Sequence, residues 1–268
     1  MKVAILGCGW LGLPLAKELI SQNHEVKGSV TRMEKMSDLR KAGIIPYSIK
    51  LFEKGVQGDI SSFLSGIDVL IVDIPPGLRK NPDSNFVKKI RNLVPYIEKA
   101  HCEKVIFISS TSVYPDEMGN PEYSEESKTD NSSPTAIQLR NAELLLLDNS
   151  NFQTSVLRFG GLIGENRHPI YHLAGRENIS SPEAPVNLIH QKDCIRAISL
   201  LIKEKEDNSV WNLVYPEHPL KADYYTTMAK SKNLGLPQFR KNEEAKGKII
   251  SSDKIIRELD FEFKHPIS

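Results

Sequence analysis

The stretch "VAILGCGWLGLPLAKELI", Val3 to Ile20, decides the fold. An apolar run ends at Leu6, glycines follow at positions 7, 9 and 12, and an amphipathic segment begins at about Leu13. Glycines at G-x-G-x-x-G spacing between a strand and a helix meet three steric demands. Gly7 makes a tight turn, Gly9 lets a pyrophosphate approach the backbone, and Gly12 lets the helix pack closely on the strand. Trp10 and Leu11 lie inside the turn, Trp10 placed to pack on the loop or to cover the pyrophosphate. The N-terminus of the following helix favours an anion. The stretch predicts dinucleotide binding; the alternative is a glycine-rich turn that holds no ligand.

The next strand, "HEVKGSVTR", selects the dinucleotide. An NAD site offers Asp or Glu to the ribose hydroxyls at its end, whereas an NADP site offers a basic residue to the 2'-phosphate. Here Val30 stands in the acid's place, and Thr31 and Arg32 follow. Arg32 can pair with a phosphate through charge-assisted hydrogen bonds, or it can cap a helix or face solvent. NADP is the predicted cofactor, with NAD the alternative.

Working outward, "MEKMSDLRKAG", "DVLIVDI", "NFVKKIRNLVPYIEKA" and "KVIFISS" alternate helical with strand patterns. Continuous apolar strands such as "VLIV" and "VIFI" imply burial on both faces, the mark of a parallel sheet between helix layers. The predicted fold is α/β, a Rossmann-like doubly wound parallel sheet with a small C-terminal α/β substrate lobe. Residues 1–165 form the NAD(P)-binding domain and 166–268 the smaller lobe, partly interleaved with the first. After Ser110 comes a long polar loop, then the helix "TAIQLRNAELLLLDN" and the strand "TSVLRFGGLIG". Beyond Glu165 the pattern predicts strands at "APVNLIH" and "SVWNLVYP", helices at "KDCIRAISLLIKEK" and "KADYYTTMAKSKN", and a terminal "KIISSDKIIRELDF".

Bulk properties exclude other classes. The chain has 268 residues and a net charge of +1 from 35 basic and 34 acidic residues. Nucleic-acid binding needs a basic footprint that this balance does not supply. No segment approaches the roughly 20 apolar residues of a membrane span. The three cysteines, at 8, 102 and 194, have no C-x-x-C spacing, which predicts reduced thiols in a cytoplasmic protein and no metal site. The partner expected is a small-molecule substrate.

Two loops at strand ends complete the expected crevice. Pro75 and Pro76 follow "DVLIVDI" where an open sheet places its ligand crevice, either stiffening the floor under the adenosine or making an ordinary turn. Arg158 leaves the strand "VLRF" toward the nicotinamide side as a candidate substrate contact, and it needs a partner if it is buried.

Together "GCGWLG", "KVIFISSTSVYP", "LRFGGLIG", "VNLIHQKDC", "WNLVYP" and "FEFKHP" resemble the atypical or extended short-chain dehydrogenase/reductase superfamily, in its epimerase/dehydratase-like branch. The resemblance covers almost the whole chain. It implies an oxidoreductase or epimerase that binds NAD(P) and a small polar or nucleotide-sugar-like substrate. It places Ser109 and Ser110 at the end of the strand that delivers a catalytic Ser or Thr, with Ser110 in the matching place and Ser109 a candidate cofactor contact. Tyr114 is a second catalytic candidate or, in the alternative, a structural or cofactor-side tyrosine, and Arg176 and His190 fall where relatives contact substrate or close the lobe. The relatives' Tyr-x-x-x-Lys pair falls on Thr135 and Leu139, counted back from Glu143, so both groups are missing. The glycine loop is one residue shorter than the usual G-x-x-G-x-x-G. The alternative is a degenerate dinucleotide-binding sensor or scaffold; a hydroxyacid-type dehydrogenase would need an all-helical second domain, against the strands near Val186 and Val210.

Overall fold

The computed structural model describes residues 1–268 except 79, 205–207 and 242. Strands β1 (Lys2–Leu6), β2 (Glu25–Val30), β3 (Ile45–Ser48), β4 (Val69–Val72), β5 (Lys104–Ser110), β6 (Gln153–Phe159) and β7 (Ser209–Leu213) form one sheet in the order β7-β6-β5-β4-β1-β2-β3. The pairings β5–β4, β4–β1, β1–β2 and β2–β3 are parallel, with Val3 beside both Val26 and Val69. The order reverses between β1 and β4, which opens the crevice at their C-terminal ends. This is the Rossmann-like α/β sheet that the apolar runs predict.

Flanking helices follow the strands: α1 (Gly12–Ser21), α2 (Met36–Lys41), α3 (Ile60–Leu64), α4 (Phe86–Lys99), α5 (Pro134–Leu147) and α6 (Gln191–Leu201). The last residue of the predicted "KDCIRAISLLIKEK" helix, Lys205, lies outside the described residues. Helices α4 and α5 start on side-chain caps, Asn85 accepting from Lys88 N and Ser133 from Ala136 N, each worth ~1 kcal/mol. The two helices pack together, and Gln138 ties them, accepting from Phe86 N and donating to Ser84 O at 3.0 Å. Every residue of β4 is buried, as are Val3 to Leu6 of β1, and each such Val, Leu or Ile side chain contributes about 1.5–3 kcal/mol.

The chain divides into two compact, discontinuous units. The first comprises Met1–Ser109, Ser133–Leu157 and Ile195–Val210; the second comprises Ser110–Ser132, Arg158–Cys194 and Trp211–Ser268. The second unit has its own core of Ile163, Ile170, Val186, Leu188, Tyr224, Tyr225, Ala229 and Ile267. It is laced by short pairings: Gly161–Ile163 beside Leu188–His190, Glu117–Met118 beside Lys246–Gly247, and Glu122–Tyr123 beside Ile249–Ile250. Helices Ile170–Leu173, Lys221–Ser231 and Asp253–Leu259 also lie in it. The predicted strand at "APVNLIH" is confined to Leu188–His190; just upstream, Val186 N donates to Pro219 O and Asn187 O accepts from Gly161 N.

Candidate functional site

In the first unit β1 ends at Leu6 and the chain turns sharply. Gly7 has φ +115°, and a Cβ there would stand 2.1 Å from the Asp73 carbonyl oxygen. Its N–H donates to Ser29 Oγ at 3.1 Å, and Cys8 N donates to Ser29 O at 2.7 Å, so the turn is bolted to β2. A Cβ on Gly12 would lie 2.2 Å from Gly7 O, which makes glycine obligatory for this approach of α1 to the turn. Gly9 is different: a Cβ there would meet nothing within 4 Å. Its bareness faces open space, the arrangement that lets a ligand reach the backbone. Helix α1 begins with no side-chain cap at Leu11 and no acidic residue in its first turn.

Above the turn opens a cavity of about 640 Å³, in the range of small-molecule and cofactor sites. Of the sequence-predicted residues, Gly7, Gly9, Trp10, Thr31, Arg32 and Pro75 line it; Leu11, Gly12, Pro76 and Ser109 are not part of its lining. Arg32 is exposed and stands 4.0 Å from Glu34, so this surface pair contributes little. The sequence reading did not single out Lys35, Asp38, Lys50, Asp73, Phe86 and Lys89, all of which line the cavity. Lys50 arrives on the hairpin Lys50–Phe52/Gly55–Gln57. Four basic side chains (Arg32, Lys35, Lys50, Lys89) thus face two carboxylates (Asp38, Asp73), an excess of positive charge suited to a polyphosphate. Burial, then the Asp73 charge, pushes the Cys8 thiol up to about 12, so it remains a neutral apolar wall. A dinucleotide fits these residues: a bare glycine, an uncapped helix start and a basic lining.

Ser109, next to last in β5, is buried, its hydroxyl donating to the carboxylate of Glu143 on α5. In the same helix Thr135 is half-buried and Leu139 is 4% exposed. The positions onto which the sequence reading places the Tyr-x-x-x-Lys pair thus present a half-buried threonine and a core leucine.

In the second unit Ser110 is half-buried and its Oγ accepts from Ser112 N at 3.1 Å. Tyr114 has no exposed surface; its hydroxyl accepts from Arg158 Nη1 at 2.7 Å and donates to Asn212 Oδ1 at 3.0 Å. Its ring stacks on Tyr123 at 5.3 Å. Burial pushes the Tyr114 hydroxyl up, against the Arg158 charge and the Asn212 hydrogen bond. Arg158 is itself buried, and the Tyr114 hydroxyl is one of the partners that its burial requires.

Arg176 is exposed. His190 is half-buried, its Nδ1 accepting from Lys192 N at 3.2 Å and its ring stacked on His265 at 5.1 Å. Burial, followed by the His265 charge, pulls His190 down. His265 Nδ1 lies 2.8 Å from Asp193 Oδ1, and the fully buried Asp193 carboxylate also accepts from Lys264 N and His265 N. The sequence reading missed this Asp193 clasp and the Tyr114–Arg158 pair, whose members lie 71 or 72 and 44 residues apart. Among the described residues no group of three or more His, Cys, Asp or Glu could hold a metal ion, and no helix is long and apolar enough to cross a membrane.

A family model described as NAD(P)H-binding matches residues 7–187. The protein YeeZ of Escherichia coli (strain K12) is 34% identical over 268 residues, covering 99% of this chain and 96% of its own length. UDP-glucose 4-epimerase of Thermotoga maritima, solved with UDP-glucose, superposes with a TM-score of 0.81 at 16% identity, covering 100% of this chain and 95% of that one. A short-chain dehydrogenase/reductase superfamily protein from Agrobacterium tumefaciens with bound NAD gives 0.79 at 17%, covering 99% and 93%. The chain belongs to the NAD(P)H-binding family, and its fold is that of the short-chain dehydrogenase/reductase and epimerase/dehydratase superfamily.

Proposed function

We propose that this protein is an NADP-binding oxidoreductase or epimerase of the atypical short-chain dehydrogenase type, acting on a small polar or nucleotide-sugar-like substrate. The observation that carries the cofactor choice is the end of β2. Val30 leaves no carboxylate there to repel a 2'-phosphate, and Arg32 and Lys35 line the cavity beside it. Thr31 adds a hydroxyl at the same edge, and Pro75, with Pro76 next to it, forms the turn after β4. Gly7, Gly9 and Gly12 hold the pyrophosphate end, with Trp10 and Leu11 between them. The bound nicotinamide supplies hydride exchange with a substrate carbon.

In this reading the first unit carries the cofactor and the second the substrate. Ser110 polarises the substrate oxygen, and Ser109 fixes the strand end through Glu143. Arg176 and His190 are the substrate-side candidates. Arg158 supports Tyr114 from within the unit, and Tyr114, fully buried with its hydroxyl engaged, is a positioning residue. The substrate class follows the structural relatives, of which the epimerase was solved with UDP-glucose. A cytoplasmic setting suits three buried cysteines that form no disulfide, Cys8, Cys102 and Cys194.

Calorimetric titration of NADP and NAD into wild type and Arg32→Ala tests the cofactor. Selective loss of NADP affinity supports the proposal; equal weak binding of both dinucleotides overturns the NADP assignment. Turnover of NADPH with a responsive aldehyde, ketone or sugar, abolished by Ser110→Ala, supports the catalytic role, and unchanged turnover removes Ser110 from it.

A second reading, a dinucleotide-binding sensor or scaffold, is favoured by one observation. Leu139 fills the lysine position with an apolar side chain packed in the core. Binding without turnover across a broad panel of sugars, aldehydes and ketones would select it.

A further inference from the structure

One cavity residue has no part in the cofactor reading. Asp73 follows β4, its N–H donating to Leu6 O at 2.9 Å, and its carbonyl is the surface against which Gly7 lies. Its carboxylate turns toward α1. A Cβ on Gly12, the first residue of that helix, would come within 3.2 Å of Asp73 Oδ2. The same side chain lines the cavity, and its charge reaches the Cys8 thiol on the other side of the turn.

A carboxylate at this place is stabilised by the positive end of the helix dipole. A glycine turn of this kind brings a pyrophosphate to the same end. Two anions drawn to one positive pole repel each other, and the repulsion is strong where the site is partly shielded from water.

We infer that Asp73 is an internal counter-anion of the glycine turn, its carboxylate opposing the cofactor's pyrophosphate at the α1 N-terminus and thereby setting the affinity for the dinucleotide. The inference rests on the dinucleotide reading above and adds a term to it. A weakened grip suits a dinucleotide exchanged at every turnover, as net oxidation or reduction requires. It suits less well a cofactor retained through an epimerisation, in which the hydride returns to the substrate.

The test is calorimetry of NADP, NAD, ADP and adenosine into wild type and Asp73→Asn at one salt concentration, with thermal unfolding as a check of folding. Asp73→Asn binds the three phosphate-bearing ligands about tenfold tighter, and adenosine equally, because only the phosphates meet the deleted charge. Asp73→Ser, which also removes the charge, gives the same pattern and serves if the asparagine variant is unstable. Wild type that binds dinucleotide while neither variant binds it more tightly overturns the inference and leaves the cofactor reading standing. An equal gain for adenosine also overturns it, since the effect would then be a looser pocket. Absence of dinucleotide binding in wild type and both variants overturns the cofactor reading and the inference with it.

Discussion

Arg158 donates from Nη1 to the Tyr114 hydroxyl at 2.7 Å, with its guanidinium 5.2 Å from the centre of the same ring. One tyrosine thus serves a buried cation twice, through its oxygen and through its π face. Asn212 takes the hydroxyl proton at 3.0 Å, and its backbone N–H donates to Glu125 Oε1 at 2.7 Å. Every link lies within the second unit.

Tyr114→Phe removes the oxygen that satisfies both Arg158 and Asn212. The loss is about 1–3 kcal/mol, the cost of leaving buried polar groups unmet. Urea unfolding measures it. Dinucleotide affinity stays at the wild-type value if the tyrosine is a positioning residue of its own unit, and a large loss of affinity would show that it reaches the cofactor.

The glycines of the turn separate folding from binding. Gly7→Ala forces a Cβ against the Asp73 carbonyl at a φ that side chains rarely adopt, so the thermal midpoint falls or the protein fails to fold. Gly9→Ala meets no protein atom and shifts stability by less than about 1 kcal/mol, yet it costs most of the dinucleotide affinity because the methyl group occupies the ligand's approach. Calorimetry of Gly9→Ala beside its melting curve reads both effects at once.

Stability depends on pH through His168. Its ring is 8% exposed, with Nε2 facing Tyr224 Oη at 2.9 Å and Nδ1 accepting from Ile170 N at 3.1 Å. The Tyr224 hydroxyl donates to Ile267 O at 2.6 Å, so Nε2 is the protonated nitrogen of a neutral imidazole. Burial, then Lys232, pulls the folded pKa down from 6.5 to about 4. Between these values the unfolded chain binds the extra proton, so the contribution is complete above pH 6.5 and is lost as pH falls toward 4. At full titration it amounts to about 3 kcal/mol. His168→Gln flattens the fall in stability across that window, as denaturant midpoints measured at several pH values would show.

Asp193→Ala releases the segment that it clasps. The Lys264 and His265 amides lose their acceptor and the His265 ring loses its anchor, and hydrogen bonds to a charged group are each worth about 1.5–3 kcal/mol. Hydrogen exchange of these two amides accelerates well beyond the change expected from global stability. Unchanged protection at Lys264 and His265 would show that other contacts hold the segment.

The legible part of this protein was the part written locally. Strand, glycines and helix fall within Val3 to Ile20, and the strands "VLIV" and "VIFI" are apolar throughout because they are buried on both faces. Strand β3 left no such trace: it has four residues, one of them Pro46, and it lies half-exposed at the sheet edge. The hairpin at Lys50–Gln57, which brings Lys50 to the cavity, is equally short and polar. Within the polar loop, Glu117–Met118 and Glu122–Tyr123 are ordered by partners at 246–250, more than 120 residues away, and no local periodicity records such a pairing. Asp73 did leave a signal, a carboxylate closing a run of buried aliphatics just before "IPPG". Its meaning depends on the nearness of Gly12, which only the fold supplies.

The chain passes between its two units at Ser109/Ser110, Ser132/Ser133, Leu157/Arg158, Cys194/Ile195 and Val210/Trp211. Domains generally fold during synthesis as each is completed, but here neither unit is complete until late. The first needs β7, which begins at Ser209, and the second needs the Asp253–Leu259 helix and the segment clasped by Asp193. A ribosome must therefore expose more than 200 residues before the dinucleotide-binding unit can close. Neither unit can therefore be cut from the chain as one uninterrupted segment, which makes the protein a poor subject for truncation.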